Sequence, residues 1–106
     1  MYNSQKEINM NLFDYKTPKK GEEFTTLLKH KNIKIIRIVS SNDFDSIEYC
    51  QDEDEWVVLL EGKATLKVEQ KEVTLIKGES LFIPAKTPHQ ILEMESGTVW
   101  LAVHIF

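Results

Sequence analysis

Trp56-Val57-Val58-Leu59-Leu60-Glu61-Gly62-Lys63-Ala64-Thr65-Leu66-Lys67-Val68-Glu69-Gln70-Lys71-Glu72-Val73-Thr74-Leu75-Ile76-Lys77-Gly78 decides the fold class. Its first five residues are apolar without a break, and Gly62 closes the run. Lys63–Gln70 then alternates, with Ala64, Leu66 and Val68 on one side and Thr65, Lys67 and Glu69 on the other. Lys71–Lys77 repeats the habit with Val73 and Leu75 until Gly78 ends it. A period of two bounded by glycines is the pattern of short β-strands with one buried face.

Outward from this stretch the same period holds. Ile33–Val39 is dense in β-branched residues and stops at the turn formers Ser40-Ser41-Asn42-Asp43. Ser46–Gln51, Ser80–Ile83, His89–Met94 and Thr98–Phe106 complete a set of eight predicted strands. Turn signals recur every eight to ten residues or so, which leaves no room for the helical crossovers of a parallel sheet. The expectation is an all-β, antiparallel double sheet or barrel. One helix is expected at Glu22–Lys29, where Gly21 precedes two acids and Phe24, Leu27 and Leu28 follow helical spacing. Residues 1–12 are polar and unpatterned, so they are read as a flexible arm, with 13–106 as a single domain.

The chain has 106 residues, 42% of them hydrophobic and 28% charged, with a formal charge of −4. That composition is ordinary for a globular chain of one-domain size. Arg37 is the lone arginine, and the lysines between Lys16 and Lys34 are interrupted by Glu22 and Glu23. No nucleic-acid partner is expected from so acidic and arginine-poor a sequence. The longest apolar runs are far below the roughly 20 residues a spanning helix needs, so no membrane association is expected. A single cysteine, Cys50, forbids an internal disulfide, and the default address is the cytoplasm. Cys50 itself reads as a small packing residue rather than a nucleophile. Strands apolar on both sides, Trp56–Leu60 above all, leave a face for a second copy of the chain, and a homodimer is expected.

Two segments carry chemistry beyond pattern. Tyr49-Cys50-Gln51-Asp52-Glu53-Asp54-Glu55 leads through the apolar run to Gly62. The second segment is Gly78-Glu79-Ser80-Leu81-Phe82-Ile83-Pro84-Ala85-Lys86-Thr87-Pro88-His89. Together they resemble the two motifs of the cupin superfamily. The first motif is His-x-His, three or four residues, Glu, six residues, Gly. The second is Gly, five residues, Pro-x-Gly, two residues, His. Glu55 and Gly62 keep the first spacing, and Gly78, Pro84 and His89 keep the second, with Lys86 where the family prefers glycine. The resemblance spans about residues 33 to 106 and implies a jelly-roll barrel of the RmlC-like type.

The first motif lacks its histidines. One register puts Tyr49 and Gln51 at those positions, and the other puts Glu48 and Cys50 there; the first aligns without a gap. In metal-bearing cupins these positions, the glutamate and the second-motif histidine converge on one ion, because residues i and i+2 of a strand point the same way. The resemblance thus implies Glu55 and His89 as metal ligands with Gln51 as a weak third, for an ion such as Mn, Fe, Ni or Zn. A metal-free alternative, by analogy with epimerases of this fold, makes His89 and Tyr49 a catalytic base and acid across the barrel, with Glu55 tuning the imidazole. A third reading is a non-catalytic interaction or sensor domain. In each of the first two, a small polar molecule occupies a pocket inside the barrel. His30 reads as exposed, and His104, two residues from the end of the last strand, could reach the barrel mouth but reads as a bland position rather than a site residue.

Overall fold

The computed structural model describes residues 9–106. Nine strands appear among them, in two antiparallel sheets: β1 Glu22–His30, β2 Ile33–Ser40, β3 Glu48–Tyr49, β4 Asp54–Glu61, β5 Lys63–Val68, β6 Lys71–Ile76, β7 Ser80–Ile83, β8 His89–Met94 and β9 Thr98–Ile105. The five-stranded sheet runs β1-β2-β9-β4-β7 and the four-stranded sheet β3-β8-β5-β6. No helix of the described residues is long and apolar enough to cross a membrane.

The expected helix at Glu22–Lys29 is strand β1, an edge of the five-stranded sheet. Its residues pair with β2 from Glu22↔Ser40 to His30↔Ile33, with a register shift between Thr26 and Leu28. That shift changes which face the later residues occupy, and so produces a helix-like recurrence of Phe24, Leu27 and Leu28 within a strand. The backbone bonds offered by β2 outweigh the weak helical tendency of nine residues containing Thr25 and Thr26. Of the arm expected over residues 1–12, the first eight lie outside the described residues. The carbonyls of Leu12 and Asp14 each accept a bond from Arg37 Nη1 at 3.2 Å, over the outer side of β2.

The core lies between the sheets. Val57, Leu59, Trp100 and Ala102 from one sheet meet Ala64, Leu66, Leu75 and Met94 from the other, all buried. Alternation along β4 and β9 explains the selection, since every second residue turns inward. Glu55, Val57 and Leu59 form the inner row of β4; Trp100, Ala102 and His104 form that of β9. The chain passes from one sheet to the other at Gly62, whose φ of +89° lies in the left-handed region. Thr98 packs directly over it, with its Cα 2.8 Å from where a Cβ would stand.

The opposite face of the five-stranded sheet carries an apolar row. Trp56 pairs with Phe82 on β7 and with Val103 on β9, Val103 pairs with Ile35 on β2, and Ile35 pairs with Leu28 on β1. Phe82, Trp56 and Leu28 are exposed.

Candidate functional site

The two sheets leave a cavity of about 160 Å³ between them. Its apolar wall includes Ile36, Ile38, Val57, Leu66, Ile83, Ile91 and Trp100, and its polar end gathers Tyr49, Gln51, Glu55, His89 and His104. Glu22 lines it farther along β1, where its Oε2 accepts from Ser40 Oγ at 2.6 Å. Phe24 and Tyr49, from the edge strands of the two sheets, stand 61% and 48% exposed while lining the cavity, and they mark its mouth.

Glu55 and His89 come from different sheets and line this same cavity. Glu55 opens the inner row of β4, paired with His104 on one side and Ile83 on the other. His89 begins β8, between Tyr49 of β3 and Val68 of β5. Both are buried. His89 Nδ1 lies 2.9 Å from the Thr87 carbonyl. A carbonyl can only accept, so in the neutral ring the proton sits on Nδ1 and Nε2 carries the lone pair. Glu55 Oε1 accepts from Gln51 Nε2 at 2.8 Å. The polar group that approaches Oε2, His104 Nε2, is 3.8 Å away, too far for a direct hydrogen bond.

The first-motif positions differ in whether they reach the cavity. Tyr49 and Gln51 line it, whereas the exposed Glu48 and Cys50 do not. Cys50 is therefore a surface thiol and not the packing residue expected from the sequence. Tyr49 stacks on His89, ring centroids 5.9 Å apart at 29°. The two are cross-strand neighbours in one sheet, so Tyr49 does not face His89 across the barrel as the epimerase analogy requires; Glu55 holds the opposite wall. His30 is exposed at the end of β1.

His104 belongs to this site although the sequence suggested a bland position. Its Nδ1 lies 3.1 Å from Glu53 Oε2, and its Nε2 faces Glu55 Oε2 at 3.8 Å, so one imidazole sits between two carboxylates and is bonded to the first. The signal was parity, since His104 follows Trp100 and Ala102 on the inner row of β9.

The loop before His89 is tied to the first segment. Ala85 N donates to Asp54 Oδ1 at 2.8 Å and Lys86 N to the Gln51 carbonyl at 2.6 Å. Lys86 holds a φ of +60°. Such a conformation strains a side chain bearing a Cβ, which is why glycine suits this position. Lys86→Gly is expected to raise stability by about 1 kcal/mol, read as a higher urea midpoint at unchanged slope. A loss of stability would show that Lys86 makes a compensating contact.

The sequence of residues 45–104 matches the family model described as a cupin domain. The chain belongs to the cupin family. Among solved structures, this cupin is similar to one from Ralstonia eutropha JMP134, provisionally assigned as a mannose-6-phosphate isomerase. The two are 32% identical over 92% of this chain and 96% of that one, with a TM-score of 0.83. A cupin superfamily protein from Desulfitobacterium hafniense DCB-2 is 16% identical over 87% and 84% of the two chains, TM-score 0.76. The cupin domain of Schizosaccharomyces pombe Cnp3 is 12% identical over 92% and 73%, TM-score 0.79. The last two share the fold. No curated protein matches the chain by sequence.

The metal-bearing arrangement of cupins can be tested against these residues. Among the described residues, no three histidine, cysteine, aspartate or glutamate side chains converge as a metal site would require. Gln51 turns its amide nitrogen toward Glu55 and thus offers a donor, not a ligand oxygen, on that side. Glu55, His89 and His104 all line the cavity, yet they do not come together as the three protein ligands of a usual catalytic zinc site. The donor set of this cupin does not fit a resident Mn, Fe, Ni or Zn ion.

Proposed function

We propose that this cupin binds a small organic ligand in its cavity without a resident metal, through Glu55 and His89. The carrying observation is that a carboxylate from β4 and an imidazole from β8 line one mostly apolar cavity, each already oriented by a neighbour. Gln51 holds Glu55, and Thr87 fixes the ring of His89. Pre-oriented polar groups on an apolar wall are the usual makeup of a small-molecule site. The mixed lining requires a ligand with both apolar and polar parts.

The test is a thermal-shift screen of metal-free protein, in which a ligand of the native state raises Tm by mass action. Hits should lose their shift in His89→Ala. A hit that keeps its full shift in that variant would place the ligand elsewhere. Metal titration serves as a control, and tight stoichiometric uptake of a transition ion would overturn the metal-free part of the reading.

The same pair supports a second, enzymatic reading, favoured by the 32% identity to the Ralstonia protein. A base and an acid on opposite walls are what proton abstraction and return beside a carbonyl need, and His89 Nε2 with Glu55 would fill those roles. Turnover of mannose 6-phosphate, lost in His89→Ala and in Glu55→Gln, is the assay. A cytoplasmic setting accords with the single exposed cysteine.

The outer row Phe82-Trp56-Val103-Ile35-Leu28 supports self-association. A row of this kind, repeated by a twofold axis, is its own complement. The expected result is a dimer by sedimentation at micromolar concentration, and Trp56→Lys is expected to yield monomers with the fold retained. A monomeric parent protein would count against the pairing.

A further inference from the structure

Among the described residues, the formal charges that line the cavity are of one sign. They are the carboxylates of Glu22 and Glu55, and among the described residues no lysine or arginine lines it. Arg37 faces the other side of β2, where Leu12 and Asp14 use its guanidinium. Lys34 pairs with His104 and shares the parity of Ile36 and Ile38 on β2, but it does not line the cavity. Both imidazoles have a nitrogen already engaged, His89 with Thr87 and His104 with Glu53.

Glu55 also has capacity to spare. An ionised carboxylate offers about four lone-pair sites. Gln51 fills one on Oε1, and no direct hydrogen bond among the described residues reaches Oε2. Because Glu55 is 9% exposed, a donor brought by a ligand would meet this oxygen with little competition from water. An anion brought there would be desolvated beside a carboxylate with no cation to receive it. The volume sets the scale of the apolar part. About 160 Å³ is close to the 150 Å³ or so of an engineered cavity that admits benzene.

Resting on the reading of this cavity as a ligand site, we infer that it selects a ligand with a single-ring apolar body and a neutral or cationic hydrogen-bond donor directed at Glu55, and disfavours anions, phosphorylated sugars included. The ring packs among Ile36, Ile38, Val57, Ile83 and Trp100. Its alcohol or amine donates to Glu55 Oε2 while His89 Nε2 accepts a second proton if one is offered. Specificity of this kind arises from the missing cation as much as from the acceptor.

Four probes test it: benzylamine, benzyl alcohol, benzoate and mannose 6-phosphate, each titrated into isotopically labelled protein. The readout is the amide and indole resonances of Trp100 and the amide of His89. Benzylamine and benzyl alcohol are expected to bind about tenfold or more tighter than either anion. Glu55→Gln should erase the preference of benzylamine over benzoate. Glu22→Gln, which removes the cavity's other carboxylate while its amide oxygen can still accept from Ser40, should narrow it and serves if the first variant fails to fold. Benzoate or mannose 6-phosphate moving the cavity resonances at equal or lower concentration would overturn this selectivity and leave the cavity standing as a site. Silence from all four up to about ten millimolar, a range ordinary for ligands this small, would overturn both.

Discussion

Trp100→Ala is expected to destabilise the barrel by about 4 kcal/mol, within the range usual for removing a buried tryptophan. Trp100 is 3% exposed and packs in the central cluster with Val57, Leu59 and Ala102. It also lines the cavity, so truncation would merge two spaces that neighbours cannot collapse to fill. Trp100→Phe should cost far less, about 1–2 kcal/mol, for a specific reason. The buried indole Nε1 has no hydrogen-bond partner among the described residues. Losing it breaks no bond and removes an unsatisfied donor, so that part of the change is neutral or favourable. What remains is the smaller ring. Urea unfolding of both variants is the measurement. With total stabilities of about 5–15 kcal/mol in domains generally, Trp100→Ala should sit near the edge of folding at physiological temperature. Equal losses for the two substitutions would show that the nitrogen matters after all.

Gly62→Ala ranks next, at about 3 kcal/mol. Two costs combine. A residue with a Cβ in the left-handed region costs roughly 1–2 kcal/mol. The new methyl would also stand 2.8 Å from Thr98 Cα, a main-chain atom that can yield only if β9 moves. Gly78→Ala separates the two costs, because Gly78 has nearly the same φ, +88°, and nothing among the described residues within 4 Å of its missing Cβ. It should lose the strain alone, about 1–2 kcal/mol. Denaturant midpoints for the pair then give the crowding over Thr98 by difference. Identical losses would mean that β9 relaxes freely, contrary to the tight approach described above.

The sequence announced most of the architecture because alternation and glycine stops are local signals. Lys63–Val68 and Lys71–Ile76 fall where the pattern put them, and the two motif segments brought Glu55 and His89 to one cavity. Strand β1 was misread because a bulge mimics helical spacing, and only pairing with β2 reveals it. The Glu53–His104 contact was invisible for another reason. It joins positions 51 residues apart, and its existence depends on the β4–β9 register, which no local pattern encodes. The absence of cations from the cavity is likewise a property of closure. Thirteen lysines and arginines populate the sequence, and none of those among the described residues lines the cavity.

Among the described residues strand β1 is hydrogen-bonded on one flank, by β2, yet Glu22 and Phe24 belong to the wall of the cavity. Local opening at a sheet margin costs less free energy than global unfolding. Peeling back this margin therefore exposes the interior while the central cluster stays intact. On the proposed reading of the cavity, the residence time of a bound ligand would be tied to how firmly this border strand is zipped down, and amide exchange along Glu22–His30 would report it.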